Sequence, residues 1–208
     1  MDWNSKKQEL KRELCNVLVR IGALKFGSFT LSSGKLSPYY IDLRVVPSFP
    51  DVFKKVAQLY VEIAKNDITL EKIHRVAGIP TAGLPFASVF AYSISKPLLY
   101  VRKEVKLHGR ERKIEGILQP GDNVLLLDDL ITTGGSLINA AEAVRAEGGV
   151  VENALVLIDR EESGRKNLRQ SGITLYYLAT ISELSKMLYD MGTISEEQLK
   201  AIMKQVEK

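Results

Sequence analysis

The sequence predicts an α/β fold, a mostly parallel central sheet with helices on both faces and a small N-terminal hood. Two observations carry this. From residue 73 onward, short and fully apolar runs alternate with helical stretches, the pattern of strands covered on both faces. The chain has 208 residues, 45% of them hydrophobic, enough for one generous domain that needs no covalent staples. We read residues 1–208 as that domain, with a helix and hood strands over about 1–45 and helices over about 181–208. The excess of four positive charges is too mild to argue for nucleic acid. The single cysteine, Cys15, excludes an intramolecular disulfide framework and a cysteine-built metal site. No apolar run reaches the ~18 residues of a membrane span, and MDWNSKKQELKREL lacks the apolar core of a signal peptide. The expected compartment is the cytoplasm, with no membrane or nucleic-acid partner.

Taken in order, Leu10, Leu14, Val17, Leu18 and Ile21 fall at helical spacing and Gly22 stops that helix. Cys15 lies beside this stripe as a packing residue. Residues 26–43 read as two short strands, broken by Ser33-Gly34 and Pro38. A helix follows from about Asp51 to Lys65, with Val52, Val56, Leu59 and Ile63 on its apolar face. IHRVAG is a strand that includes His74, read as structural, and the chain then turns through Gly83 into a helix. KPLLYVR, VLLLDD, VENALVLIDR and ITLYYLAT are further strands, and SLINAAEAVRAEGG is a helix ending on glycines. Thr180-x-x-Glu183 and Thr193-x-x-Glu196 read as capping boxes, each opening a short helix.

In an open parallel sheet, ligands bind beyond the carboxyl ends of the strands. There VLLLDDLITTGGS, residues 124–136, runs from four apolar residues into Asp128-Asp129. It continues through Thr132, Thr133, Gly134, Gly135 and Ser136 into a helix. Glycines at such a turn let backbone N–H groups converge on a phosphate, aided by the helix N-terminus. Paired carboxylates suit the vicinal hydroxyls of a sugar, or a metal held on them. Each Asp or Gly alone fits an exposed turn, but the whole string has more than a turn needs. No G-x-G-x-x-G or Walker spacing occurs. A second stretch, residues 101–116, crowds Arg102, Lys103, Lys106, His108, Arg110, Arg112 and Lys113 between two strands. Without an aromatic in 102–116 it lacks a stacking platform for nucleic acid. A basic, glycine-bearing loop beside a phosphate site can instead fold over a departing polyanion.

VLLLDDLITTGGS resembles the phosphoribosyl-pyrophosphate (PRPP) signature of type I phosphoribosyltransferases. FGSFTLSSGKLSPYYIDLR, RKEVKLHG with IEG, and LIDREESG narrow the resemblance to the orotate phosphoribosyltransferases over about residues 20–190. The resemblance implies the type I phosphoribosyltransferase fold and the making of orotidine 5′-monophosphate from orotate and PRPP. Asp128 and Asp129 would hold the ribose hydroxyls. Leu130, Ile131 and the run from Thr132 to Ser136 would line the PRPP site, with Thr132 also near the base. Arg102, Lys103, Lys106 and His108 match the PRPP-binding set, and Lys103, Lys106, His108 and Asp129 would be catalytic. Arg160 would pair with orotate's carboxylate, a task for a bidentate fork, and Tyr39, Tyr40 and Ile41 would flank the base. Mg²⁺ is the implied cofactor, carried mainly by PRPP with no protein metal cage. A homodimer is implied, loop 103–116 closing over the neighbouring subunit.

Two positions depart from the family's usual pattern. Ser32 stands where many members carry Lys and Ala82 where some do, which removes positive charge from the pyrophosphate side; whether Lys35, three residues from Ser32, supplies part of it is left open by the sequence. Two other readings compete. A phosphoribosyltransferase for another base has no use for Arg160. A PRPP-fold regulator that binds nucleic acid has no need of both the acidic pair and the basic loop.

Overall fold

The computed structural model describes residues 2–30, 34, 36–102 and 113–206. Helix α1 (Trp3–Arg20) starts on Asp2, whose carboxylate accepts from the Ser5 N–H, and ends before Gly22 at φ +61°. Strands β1 (Leu24–Thr30) and β2 (Leu36–Ile41) form an antiparallel hairpin that makes a sheet of its own, the hood. Pro38 does not break β2, as the sequence suggested. It sits opposite a register shift between Phe26 and Phe29, where its missing N–H costs no ladder bond. Helix α2 (Pro50–Asp67) opens with proline at its first position.

Next come β3 (Arg75–Gly78), α3 (Gly83–Ser93), β4 (Leu98–Val101), β5 (Ile114–Glu115), β6 (Asn123–Leu127) and β7 (Leu130–Ile131). After them follow α4 (Gly135–Ala146), β8 (Val150–Asp159), α5 (Gly164–Gln170), β9 (Thr174–Thr180), α6 (Ile181–Asp190) and α7 (Glu196–Val206). The main sheet has the order β5-β4-β3-β6-β8-β7, with β9 also on β8, and only the β4–β5 pair is antiparallel.

Alternation along the central strands explains their unbroken hydrophobicity. On β6, Leu125 and Leu127 join a core with α1, α2, α3 and α6, while Val124 and Leu126 join a second core with α4. On β8, Leu155 and Leu157 face the first core, and Ala154 and Val156 the second. The N-terminal helix therefore belongs to the main core through Leu10, Leu14 and Leu18, and the hairpin alone stands outside the main sheet. Cys15 is fully buried there, and burial pushes its thiol up to about 12. His74 lies just before β3 rather than within it, and its Nδ1 accepts from the Asn123 N–H at 2.9 Å.

The box at Thr180 and Glu183 forms with both of its bonds. The second shifts by two residues. Ser195 and Gln198 exchange the capping bonds, while Thr193 donates its hydroxyl to Leu188 O at 2.7 Å.

Candidate active site

The carboxyl ends of β4, β6 and β8 are followed by Arg102, by the acidic pair and its loop, and by Arg160. Asp128 and Asp129 directly follow β6. The Asp129 N–H donates to Asp128 Oδ1 and the Leu130 N–H to Asp129 Oδ1, both at 2.9 Å. Tyr60, from α2, donates its hydroxyl to Asp128 O at 2.8 Å. Asp129 is 8% exposed, and burial raises its pKa against the opposing hydrogen bonds and the charge of Arg44. Gly83 makes this corner possible. A Cβ there would stand 2.8 Å from both Asp128 Oδ1 and Leu127 O, so only glycine lets α3 start against the acidic pair.

Beyond the pair, the chain from Leu130 to Ser136 is held from behind. The carbonyls of Asp129, Ile131 and Thr132 accept from the N–H groups of Leu157, Arg160 and Gly164 at 3.0, 3.0 and 2.9 Å. Thr133 O accepts from Asn167 Nδ2 at 2.9 Å. With its carbonyls drawn toward β8 and α5, the loop can turn its amides outward. Gly134 at φ +81° then starts α4 without a side-chain cap. This arrangement suits a phosphate monoester. The loop and Asp128 line a cavity of about 300 Å³. Ser136 and Asn139 also border a cleft of about 800 Å³, whose other wall includes Pro80, Arg102 and Lys113. Arg102 is engaged there by an ion pair with Glu115.

Arg160, at the end of β8, is only 2% exposed. Its guanidinium lies 4.5 Å from the centroid of the Tyr39 ring, and its Nη2 donates to Ser37 Oγ at 3.2 Å. Glu162 approaches Nε at 3.4 Å. Burial pushes Tyr39 up to about 12, with the Arg160 charge opposing. Strand alternation separates the other two expected base-flanking residues. Ile41 is buried in the main core, while the half-buried Tyr40 stacks on Phe29 at 5.5 Å and its hydroxyl accepts from Arg44 Nη2. Lys103, Lys106 and His108, together with Ser32 and Lys35, lie outside the described residues.

Sequence reasoning missed Gly164 and Asn167, which hold the loop, and Ser37 and Glu162, which bracket Arg160. All four lie in or beside the quoted motifs, and that proximity was the available signal.

A phosphoribosyl transferase domain model matches residues 48–171. The orotate phosphoribosyltransferase of Cenarchaeum symbiosum is 43% identical over 186 residues, 89% of this chain and 91% of that protein. The crystal structure of orotate phosphoribosyltransferase from Aeropyrum pernix superposes with a TM-score of 0.76 at 37% identity, covering 88% of this chain and 99% of that one. UMP synthase from Leishmania donovani gives a TM-score of 0.85 at 32% identity; the match covers 94% of this chain but 42% of that protein. On this fold, this loop and these relatives, the chain belongs to the orotate phosphoribosyltransferase family.

Proposed function

We propose that the chain transfers the 5-phosphoribosyl group of PRPP to orotate, giving orotidine 5′-monophosphate and pyrophosphate in pyrimidine biosynthesis. The observation that carries this reading is the seat of Arg160. Arg160 is buried, and its backbone N–H donates to Ile131 O at 3.0 Å, so the residue is tied to the strand that enters the phosphate loop. A carboxylate-bearing base fits that site, since Glu162 engages only the Nε side of the guanidinium, at 3.4 Å, and Ser37 takes Nη2.

In this reading the amides of residues 132–136 hold the 5′-phosphate and Asp128 and Asp129 hold the ribose hydroxyls. Orotate N1 gives up its proton, which leaves with the pyrophosphate or to solvent, and bonds to C1′ as the C1′–oxygen bond to pyrophosphate breaks on the opposite face. The ribose passes through an oxocarbenium-like state, so catalysis is electrostatic and requires no covalent intermediate. The buried carboxylate of Asp129 faces the charge that develops on the ribose, and Arg160 fixes the base. Arg102, Lys103, Lys106 and His108 meet the pyrophosphate, and the loop excludes water that would otherwise hydrolyse PRPP. The acidic pair offers hard oxygen donors, so Asp128 and Asp129 would help hold a Mg²⁺ brought mainly by PRPP, which would supply neutralising charge for the leaving group.

A PRPP- and Mg²⁺-dependent loss of orotate absorbance tests the reaction, with uracil, adenine and hypoxanthine as controls. Equal turnover of uracil would overturn the assignment of the base. The reading also includes a cytoplasmic homodimer in which residues 103–116 close over the neighbouring subunit. Mixing the inactive Lys106→Ala and Asp129→Asn proteins should restore about a quarter of wild-type activity, since half the dimers are mixed and each has one intact site of two. Subunit exchange seen by native mass spectrometry without recovered activity would rule out loop sharing.

A further inference from the structure

Ser37 and Gln205 have no part in the chemistry above, yet they meet at the arginine on which it rests. Ser37 Oγ is buried in β2 and receives Arg160 Nη2 at 3.2 Å. It also stands 2.7 Å from Tyr39 O and 2.9 Å from the Gln205 side-chain amide, near the end of α7. A serine hydroxyl has one proton and two lone pairs. With its one proton on Tyr39 O, Ser37 accepts from Arg160 Nη2 and, with the amide turned by half a rotation, from the Gln205 nitrogen, the Tyr39 N–H lying farther off at 3.4 Å.

On the far side of the guanidinium, the Glu162 side chain is 6% exposed at 3.4 Å from Nε. Among the described residues, neither of its oxygens nor Nε itself has a hydrogen-bond partner, and all three are buried. The guanidinium is thus fixed through Nη2, through its face on Tyr39, and electrostatically near Nε. Among the described residues no hydrogen bond engages Nη1. A junction serving only stability would be better apolar than polar and half-satisfied. Ser37, and Gln205 through it, hold the Nη2 end of the guanidinium against the Tyr39 ring, so the pair fixes how the arginine lies.

We propose that Ser37 and Gln205 are positioning residues for Arg160, so that the C-terminal helix helps set affinity for the carboxylate-bearing base. This rests on the reading of Arg160 as the carboxylate's partner. The test measures KM for orotate and for PRPP, with thermal melts, in Ser37→Ala, Ser37→Thr, Gln205→Ala, Arg160→Ala and Lys204→Ala. Ser37→Ala should raise the orotate KM about tenfold and Gln205→Ala about threefold, with the PRPP KM unchanged. Ser37→Thr, which keeps the hydroxyl, should recover most of the loss. Lys204→Ala, exposed on the same helix, should change neither constant. If Arg160→Ala raises the orotate KM alone while Gln205→Ala moves both constants together or neither, the positioning role is overturned and the reading of Arg160 stands. If Arg160→Ala fails to separate the substrates, that reading falls and takes the proposal with it. Should Ser37→Ala fold poorly, Gln205→Ala decides.

Discussion

Along residues 128–136 the cleft is walled by one continuous stretch of backbone, whereas the wall around Arg160 is assembled from distant side chains. Ser37 comes from the hood, 123 positions from Arg160, and Gln205 from the last helix, 168 positions from Ser37. The first wall works through amide dipoles that any side chain leaves in place, provided glycine stands where the backbone demands it. The second depends on the identity of each residue, since buried charge is tolerated only beside the right partner. A phosphate grip can therefore be shared across many enzymes of a fold, while base selectivity is specific to one branch.

Arg160→Ala probes the side-chain wall most directly. Losing a charge-assisted fork should cost about 2–4 kcal/mol, raising the orotate KM roughly 30- to 1000-fold with little change for PRPP. Steady-state kinetics with each substrate varied separately would measure this, and equal losses for both would erase the contrast between the two walls.

Asp129→Asn should lower kcat/KM on the order of a hundredfold. Its effect on stability runs the other way. Burial raises the pKa of Asp129, so between the unfolded value of about 3.9 and the folded one the native chain holds more protons. Stability therefore falls as pH rises through that window and levels off above it. The variant should melt higher than wild type at pH 7, and the gap should close below about pH 4. A lower melting temperature at pH 7 would mean that the carboxylate holds the strand end together.

Gly164→Ala sharpens the backbone side of the comparison. A Cβ would meet Thr132 O at 2.5 Å and Ile131 Cγ1 at 2.6 Å. The strain should cost about 1–3 kcal/mol of stability in denaturant unfolding and should raise the PRPP KM more than the orotate KM. Unchanged PRPP kinetics would show that the loop does not depend on its backing.

The same contrast explains what was legible in the sequence. The runs at β6 and β8 announce buried strands because both faces of each strand are apolar. The phosphate loop is legible because its residues are contiguous and their types follow from backbone geometry. Helix α5 was not, since in GRKNLRQ only Leu168 is apolar and no periodicity can show. Pro38 was misplaced because a proline opposite a bulge is locally indistinguishable from one that ends a strand. At the C-terminal turn, Thr193-x-x-Glu196 and Ser195-x-x-Gln198 both fit the capping pattern, and tertiary geometry decides between them, since Thr193 is drawn to Leu188 O while Ser195 and Gln198 exchange the capping bonds. The partners of Arg160 were unreadable for a simpler reason: nothing local links residue 37 or residue 205 to residue 160.

The span from Arg160 to Asn167 serves both walls at once. It carries the buried guanidinium and Glu162 on one side, while the Gly164 N–H and Asn167 Nδ2 clamp Thr132 and Thr133 on the other. Retargeting the enzyme to a base without a carboxylate thus involves more than exchanging one arginine. Removing that charge strands Glu162 without a counter-ion and Ser37 without a donor, and the repacking that follows pulls on the chain gripping the phosphate loop. Substitutions in this span should combine non-additively. Stepwise evolution toward a new base then runs through intermediates that hold PRPP poorly, which makes this short stretch a barrier between specificities.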